Sequence, residues 1–207
     1  MARRYTLGKR AESRDQVRER IMQATMQLHD EKGVAPTTFA DIAERAGVGQ
    51  ATVHRHFPTV GELVRNCGVH VWQEMQPPMP DTAVAVFAGA STLRERLGRL
   101  VAEIDAFYVR GSYRLKLAAR DRELIPELDQ FLTVVDMGLE ALVRSALAPL
   151  EPSDRVVRVA MTLIGLPVWL ELRRLDLPAD EAAELKVRLL ECAIKSAGAD
   201  LSTKGRA

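Results

Sequence analysis

Residues 43–57 read AERAGVGQATVHRHF. A glycine-bounded turn, Gly47-Val48-Gly49, separates two short segments, and the second ends with two histidines and an arginine within three residues. Two short helices joined by a three- to four-residue turn containing glycine make a helix-turn-helix, whose second helix enters the DNA major groove. The apolar positions suit that geometry. Ile42, Ala43 and Ala46 can meet Val48, Val53 and Phe57 across the corner, and Gly47 gives the backbone its freedom there. Gln50, Ala51, Thr52, His54, Arg55 and His56 are then left outward, where base edges and phosphates would be their partners. The same pattern would also serve a helix-loop-helix of any bundle, with the histidines on a solvated face.

Outward from this stretch, the chain reads as helix almost throughout. Its 207 residues can bury a substantial core, and 47% hydrophobic with 28% charged residues is ordinary for a globular protein. Aromatics are only 5%, which favours helices over strands, so the expected class is all-α. Ser13 with Gln16 reads as a capping box for a first helix from about Arg14 to Lys32, stopped at Gly33. Thr38 with Asp41 caps a second helix to about Ala46, a third runs from Gln50 to His56, and Thr59 with Glu62 caps a fourth to near Gln76.

Pro77-Pro78-Met79-Pro80 then breaks the chain. Beyond it, helical spacing predicts segments from Thr92 to Gly111, Tyr113 to Asp121, Pro126 to Leu147, Ser153 to Leu175 and Asp180 to Ala197, with a kink near Gly165-Leu166-Pro167. The organisation expected is a DNA-binding domain over residues 1–60, with its N-terminal arm, and a larger helical domain over 61–207. Residues 61–76 would form the connecting helix.

Charge is divided along the chain. The formal net charge is only +1, yet residues 1–57 hold ten Lys/Arg against seven Asp/Glu. Arg3, Arg4, Lys9 and Arg10 precede the expected first helix and would follow phosphates or reach a minor groove, or else form a solvated terminus. Cys67 and Cys192 have no metal-ligand spacing, so neither disulfide, structural metal nor cofactor is expected. No signal-peptide stretch and no run of about 18 apolar residues occurs, which points to a soluble, cytoplasmic protein with no membrane partner.

Residues 33–64, GVAPTTFADIAERAGVGQATVHRHFPTVGELV, resemble the DNA-binding segment of the TetR family of bacterial transcriptional regulators, and the resemblance spans about residues 13 to 65. It implies that Thr52 and His56 contact phosphates, that Gln50 and Ala51 face bases, that Phe57 is core, and that Thr38 presents a capped helix N-terminus to a phosphate. Arg55 and Thr59 complete the expected DNA-binding set. Two positions depart from the family pattern. His54 stands where a tyrosine is usual, and Val60 stands where a lysine commonly follows Phe-Pro-Thr, so one phosphate contact is lost.

The resemblance also implies a homodimer on a palindromic operator and a rear domain that binds a small molecule. One two-turn helix reads few base pairs, whereas two heads about 34 Å apart read successive grooves. Val156, Ala160, Leu163, Leu185, Leu189 and Ile194 are the candidate interface, with the protomer's own core as the alternative. Trp72, Phe107, Tyr108, Tyr113, Phe131, Met137 and Trp169 are candidates to line a largely apolar effector pocket, with Asp105, Arg110 and Glu171 as polar anchors, although each also fits plain core or surface. Motifs of metalloproteases, α/β-hydrolases and P-loops are absent, so no enzyme is expected. The expected function is a repressor released from DNA by an effector; a constitutive or protein-binding helix-turn-helix factor is the other reading.

Overall fold

The structure, a computed structural model, describes residues 7–198, with side chains described from Arg14 onward. Regular structure among the described residues is helical: α1 Leu7–Lys32, α2 Phe39–Ala46, α3 Gln50–His56, α4 Val60–Met75, α5 Leu93–Asp121, α6 Pro126–Leu147, α7 Asp154–Ile164, α8 Leu166–Arg173 and α9 Ala179–Ser196. The chain divides into two compact units, the first reaching Glu74 and including Tyr113–Leu132, the second formed by Met75–Ser112 and the chain from Thr133 onward. This division falls after Glu74 rather than near residue 60.

In the first unit, α1, α2 and α3 enclose a core in which Ile21, Ile42, Val53, Phe57 and Leu63 are essentially inaccessible to water. α1 begins at Leu7, so Ser13 lies inside the helix, and Lys9 and Arg10 belong to α1 instead of preceding it. Arg3 and Arg4 lie outside the described residues. The Thr38 box forms as expected: its hydroxyl accepts from the Asp41 amide at 3.1 Å, while the Thr38 amide donates to the Asp41 carboxylate at 2.8 Å. Lys32 also donates to that carboxylate at 2.7 Å, and these partners hold the Asp41 carboxyl well below the usual range.

Tyr113–Leu132 joins this unit through charged groups. Arg114 is bidentate to Asp30 at 2.7 and 2.9 Å and also meets Glu74. Asp121, 2% exposed, accepts from the Ala35 amide at 3.0 Å and pairs with Arg120. Arg120 in turn donates to the Lys32 carbonyl, one of the acceptors that the end of α1 would leave without an intrahelical partner.

His29, partly buried near the end of α1, has its pKa lowered to about 4 by burial, against the opposing pull of Asp30 and Asp121. The folded state therefore binds fewer protons than the unfolded chain, so stability is whole above about pH 6.5 and declines as the pH falls towards 4. At pH 5 the loss is about 2 kcal/mol. Urea titrations at pH 7 and pH 5 should show it, and His29→Gln should flatten the difference; an equal loss in that variant would remove His29 as the cause.

In the second unit, Leu97, Leu100, Phe107, Leu142 and Leu190 are buried where α5, α6 and α9 supply the core. Arg96 donates to the carbonyls of Ser145 at 2.6 Å and Ala146 at 2.9 Å, satisfying the C-terminal end of α6, and lies 5.1 Å from the Phe87 ring. α5 runs unbroken through Gly111, where a stop was expected. Gly111 is buried and its missing side chain makes room for Met75, so this glycine is a spacer and not a cap. The expected helix from Ser153 to Leu175 is fully interrupted. Gly165 takes extended angles of φ −60° and ψ 150°, ending α7, and Pro167 sits in the first turn of α8, where a missing N–H costs nothing.

A candidate nucleic-acid interface

The corner of the helix-turn-helix is fixed by backbone hydrogen bonds. Gly47 follows α2 with φ 62° and ψ 42°, a left-handed conformation that a β-carbon disfavours. Its amide donates to Glu44 at 3.2 Å and the Val48 amide to Ala43 at 3.0 Å, the paired bonds of a Schellman turn. Gly49 then opens α3, its carbonyl accepting from Thr52 at 2.8 Å and Val53 at 3.3 Å. This turn sets the angle at which α3 leaves the core, so Val53 points inward while its neighbours do not.

Gln50, Ala51, His54 and Arg55 are exposed, and Thr52 and His56 are half-buried. Arg55 reaches back to the Thr52 hydroxyl at 3.3 Å. His54 lies flat on Phe39 of α2, ring centroids 4.2 Å apart at 11°. The α2 cap is more specific than the sequence suggested. Both the amide and the hydroxyl of Thr38 donate to Asp41, so the first free donors at this helix end belong to Phe39 and Ala40. Thr59 is likewise engaged, its hydroxyl accepting from the Glu62 amide at 3.1 Å to start α4.

His56 is held below its ordinary pKa, first by burial and then by Arg55, Arg14 and Arg18. Arg18 was not anticipated. Its guanidinium lies 4.4 Å from the Phe57 ring, donates to the His56 carbonyl at 3.3 Å and reaches Asn66, joining α1 to the end of α3 and to α4. No periodicity marks Arg18, because a cation on an aromatic face uses a partly polar helix position. Phe39 packs against the core of the first unit, and its place beneath His54 carries no signal in a single sequence.

The remaining candidates are scattered. Trp72 packs edge-on to Phe131 at 5.2 Å in the first unit, where Tyr113 is exposed. Phe107, Tyr108 and Trp169 form a buried aromatic run in the second unit, and Met137 there is 57% exposed. The seven residues thus divide between the two units. A small cleft in the second unit, partly open to solvent, is lined instead by Val101, Ile104, Leu163, Trp169, Leu172 and Leu189, among others. Asp105 lies in its wall, accepting from the Trp169 indole at 2.7 Å and from Lys186. Arg110 donates to the carbonyls of Met75 and Gln76, and Glu171 pairs with Arg174, so neither is an anchor there.

Of the expected interface residues, Val156, Ala160 and Ile194 are at most 2% exposed in the single chain and belong to its own core. Leu163 and Leu185 remain half-exposed and Leu189 is exposed, because α7 and α9 spend only one face each on that core. No group of three or more His, Cys, Asp and Glu suited to a metal exists among the described residues, and no described helix is long and apolar enough to cross a membrane. Cys67 is buried with its thiol pushed up to about 12, far from a reactive thiolate.

A Schellman-turned helix-turn-helix followed by a second, all-helical unit defines a DNA-binding transcriptional regulator. Residues 21–67 match the profile of the bacterial regulatory proteins of the tetR family. It is 24% identical over 190 residues to the HTH-type transcriptional repressor KstR of Mycobacterium tuberculosis, covering 87% of this chain and 83% of that protein. It is 36% identical over 76 residues to the HTH-type transcriptional regulator AqdR of Rhodococcus erythropolis, covering 36% of each. The TetR-like regulator LfrR of Mycobacterium smegmatis, solved in complex with proflavine, shares the fold with a TM-score of 0.50 and 20% identity, over 87% of this chain and 97% of that one. These relatives are regulators and not enzymes.

Proposed function

We propose that the protein is a cytoplasmic homodimeric repressor that binds a palindromic operator through α3 and is released by a small, largely apolar effector. The observation that carries this reading is the exposed polar face of α3, Gln50, Ala51, His54 and Arg55, on a helix whose orientation a left-handed glycine and a buried valine fix. The repressor KstR, similar over most of this chain, supports repression; LfrR, solved with proflavine, supports a small-molecule effector. The dimer would use Leu163, Leu185 and Leu189, the partly exposed leucines of α7 and α9, with the cleft beside them as one place for an effector.

Selection of bound sequences from a random duplex pool tests the reading. A palindrome with half-sites about one helical turn apart is expected. On the recovered site, Arg55→Ala should weaken binding by about tenfold and lower the salt dependence by about one released ion, with His56→Ala weaker in effect. Unchanged binding in both folded variants would remove α3 from the interface. An effector should raise the melting temperature while releasing the duplex, since a ligand shifts an equilibrium only through unequal affinity for two states.

A further inference from the structure

Among the outward side chains of α3, Arg55 is tied to Thr52 of its own helix, whereas His54 is held from α2, lying on Phe39 at 4.2 Å and 11°. Phe39 is partly buried and packs on the core of the first unit, so it is a fixed platform and not a mobile ring. A ring pinned by one face keeps only its edge for a partner, and in imidazole that edge carries both nitrogens. Fixing the ring before DNA arrives removes rotamer freedom that binding would otherwise have to freeze.

We infer that Phe39 is a positioning residue for base recognition: it aims the edge of His54 at one base-pair position in each half-site and thereby sets discrimination there, while touching no DNA itself. The inference rests on the assignment of α3 as the reading helix. The base class follows from the chemistry of the edge. An imidazole N–H donates to N7, which both purines display in the major groove, whereas cytosine presents an amino donor and thymine a carbonyl beside its methyl group. The proposal therefore assigns a purine N7 as the acceptor for the His54 N–H. A phosphate contact would need no fixed ring plane, because phosphate oxygens accept from many directions and carry no sequence information.

The experiment measures affinity for the selected operator and for duplexes substituted at each half-site position, using the full chain and the variants Phe39→Leu, Phe39→Met, Phe39→Tyr and His54→Ala. Wild type should prefer purine at one position. Phe39→Leu and Phe39→Met keep apolar volume but lose the flat face, and should cut that preference about two- to twelvefold, the range of an aromatic stacking pair. Their affinity for random duplex should not change. Phe39→Tyr should retain the preference, His54→Ala should abolish it, and Phe39→Leu added to His54→Ala should lower it no further. Undiminished preference in folded Phe39→Leu or Phe39→Met, or a further loss in the double variant, would overturn the inference. If Phe39→Leu does not fold, Phe39→Met decides. A wild-type protein with no sequence preference anywhere would instead overturn the reading role of α3.

Discussion

Replacing Val53 by aspartate is expected to unfold the first unit at neutral pH and abolish DNA binding. Val53 is 0% exposed among the apolar side chains of Ile42, Phe57 and Leu63. Burying a polar group without a partner costs about 2–7 kcal/mol, and losing the valine's own burial adds about 1.5–3 kcal/mol. Against a total stability of about 5–15 kcal/mol for a domain, that is enough to remove the native state. Far-UV circular dichroism should show loss of helix, and thermal melts should retain the transition of the second unit. A variant with the native two-unit melting profile would mean that Val53 is not the core residue of the reading head.

Gly138→Val should be nearly as severe for the second unit, and Gly138→Ala decides between two opposing effects. Intrinsic helix propensity favours alanine over glycine by about 1 kcal/mol in the interior of α6. At this position, however, a β-carbon would fall well inside van der Waals distance of the Pro78 carbonyl oxygen, a backbone atom that cannot swing aside. Overpacking costs about 1–3 kcal/mol, more where backbone must move, so the steric term wins and Gly138→Ala should lower the melting temperature. Gly138→Val, larger and β-branched, should cost about 3 kcal/mol or more. A stabilised Gly138→Ala would show that the Pro77–Pro80 segment does not press on α6.

The reading head was largely legible because local rules and burial agree there. Thr38 with Asp41, Gly47 at the corner and Val53 inward each follow from a short-range pattern, and the structure contains them all. Failures arose where one residue type serves two purposes. Gly111 and Gly165 are alike in sequence, but the first is a spacer inside α5, filled against by Met75, and the second ends α7, a difference that only tertiary neighbours decide. The aromatic residues chosen as a pocket divide between the two units for a related reason. Burial explains Phe107 and Trp169 without a ligand, and tertiary placement alone decides which apolar side chains face a cleft. Arg18 and the platform under His54 were invisible because each is a contact between distant helices with no periodic trace.

The guanidiniums that, after burial, lower the pKa of His56 also act at a distance. Arg14, Arg18 and Arg55 converge on one imidazole at the end of α3, with Asp15 the carboxylate noted beside them. Such a local excess of one sign concentrates a polyanion near the surface before any specific contact forms, so its first consequence is kinetic. The protein should reach duplex of any sequence quickly at low ionic strength and exchange along it while searching, and the association rate should fall steeply as salt shortens the range of the field to about 8 Å at physiological strength. Time spent on the wrong sequence should then be governed by these arginines, and time spent on the right one by the base contacts proposed for α3.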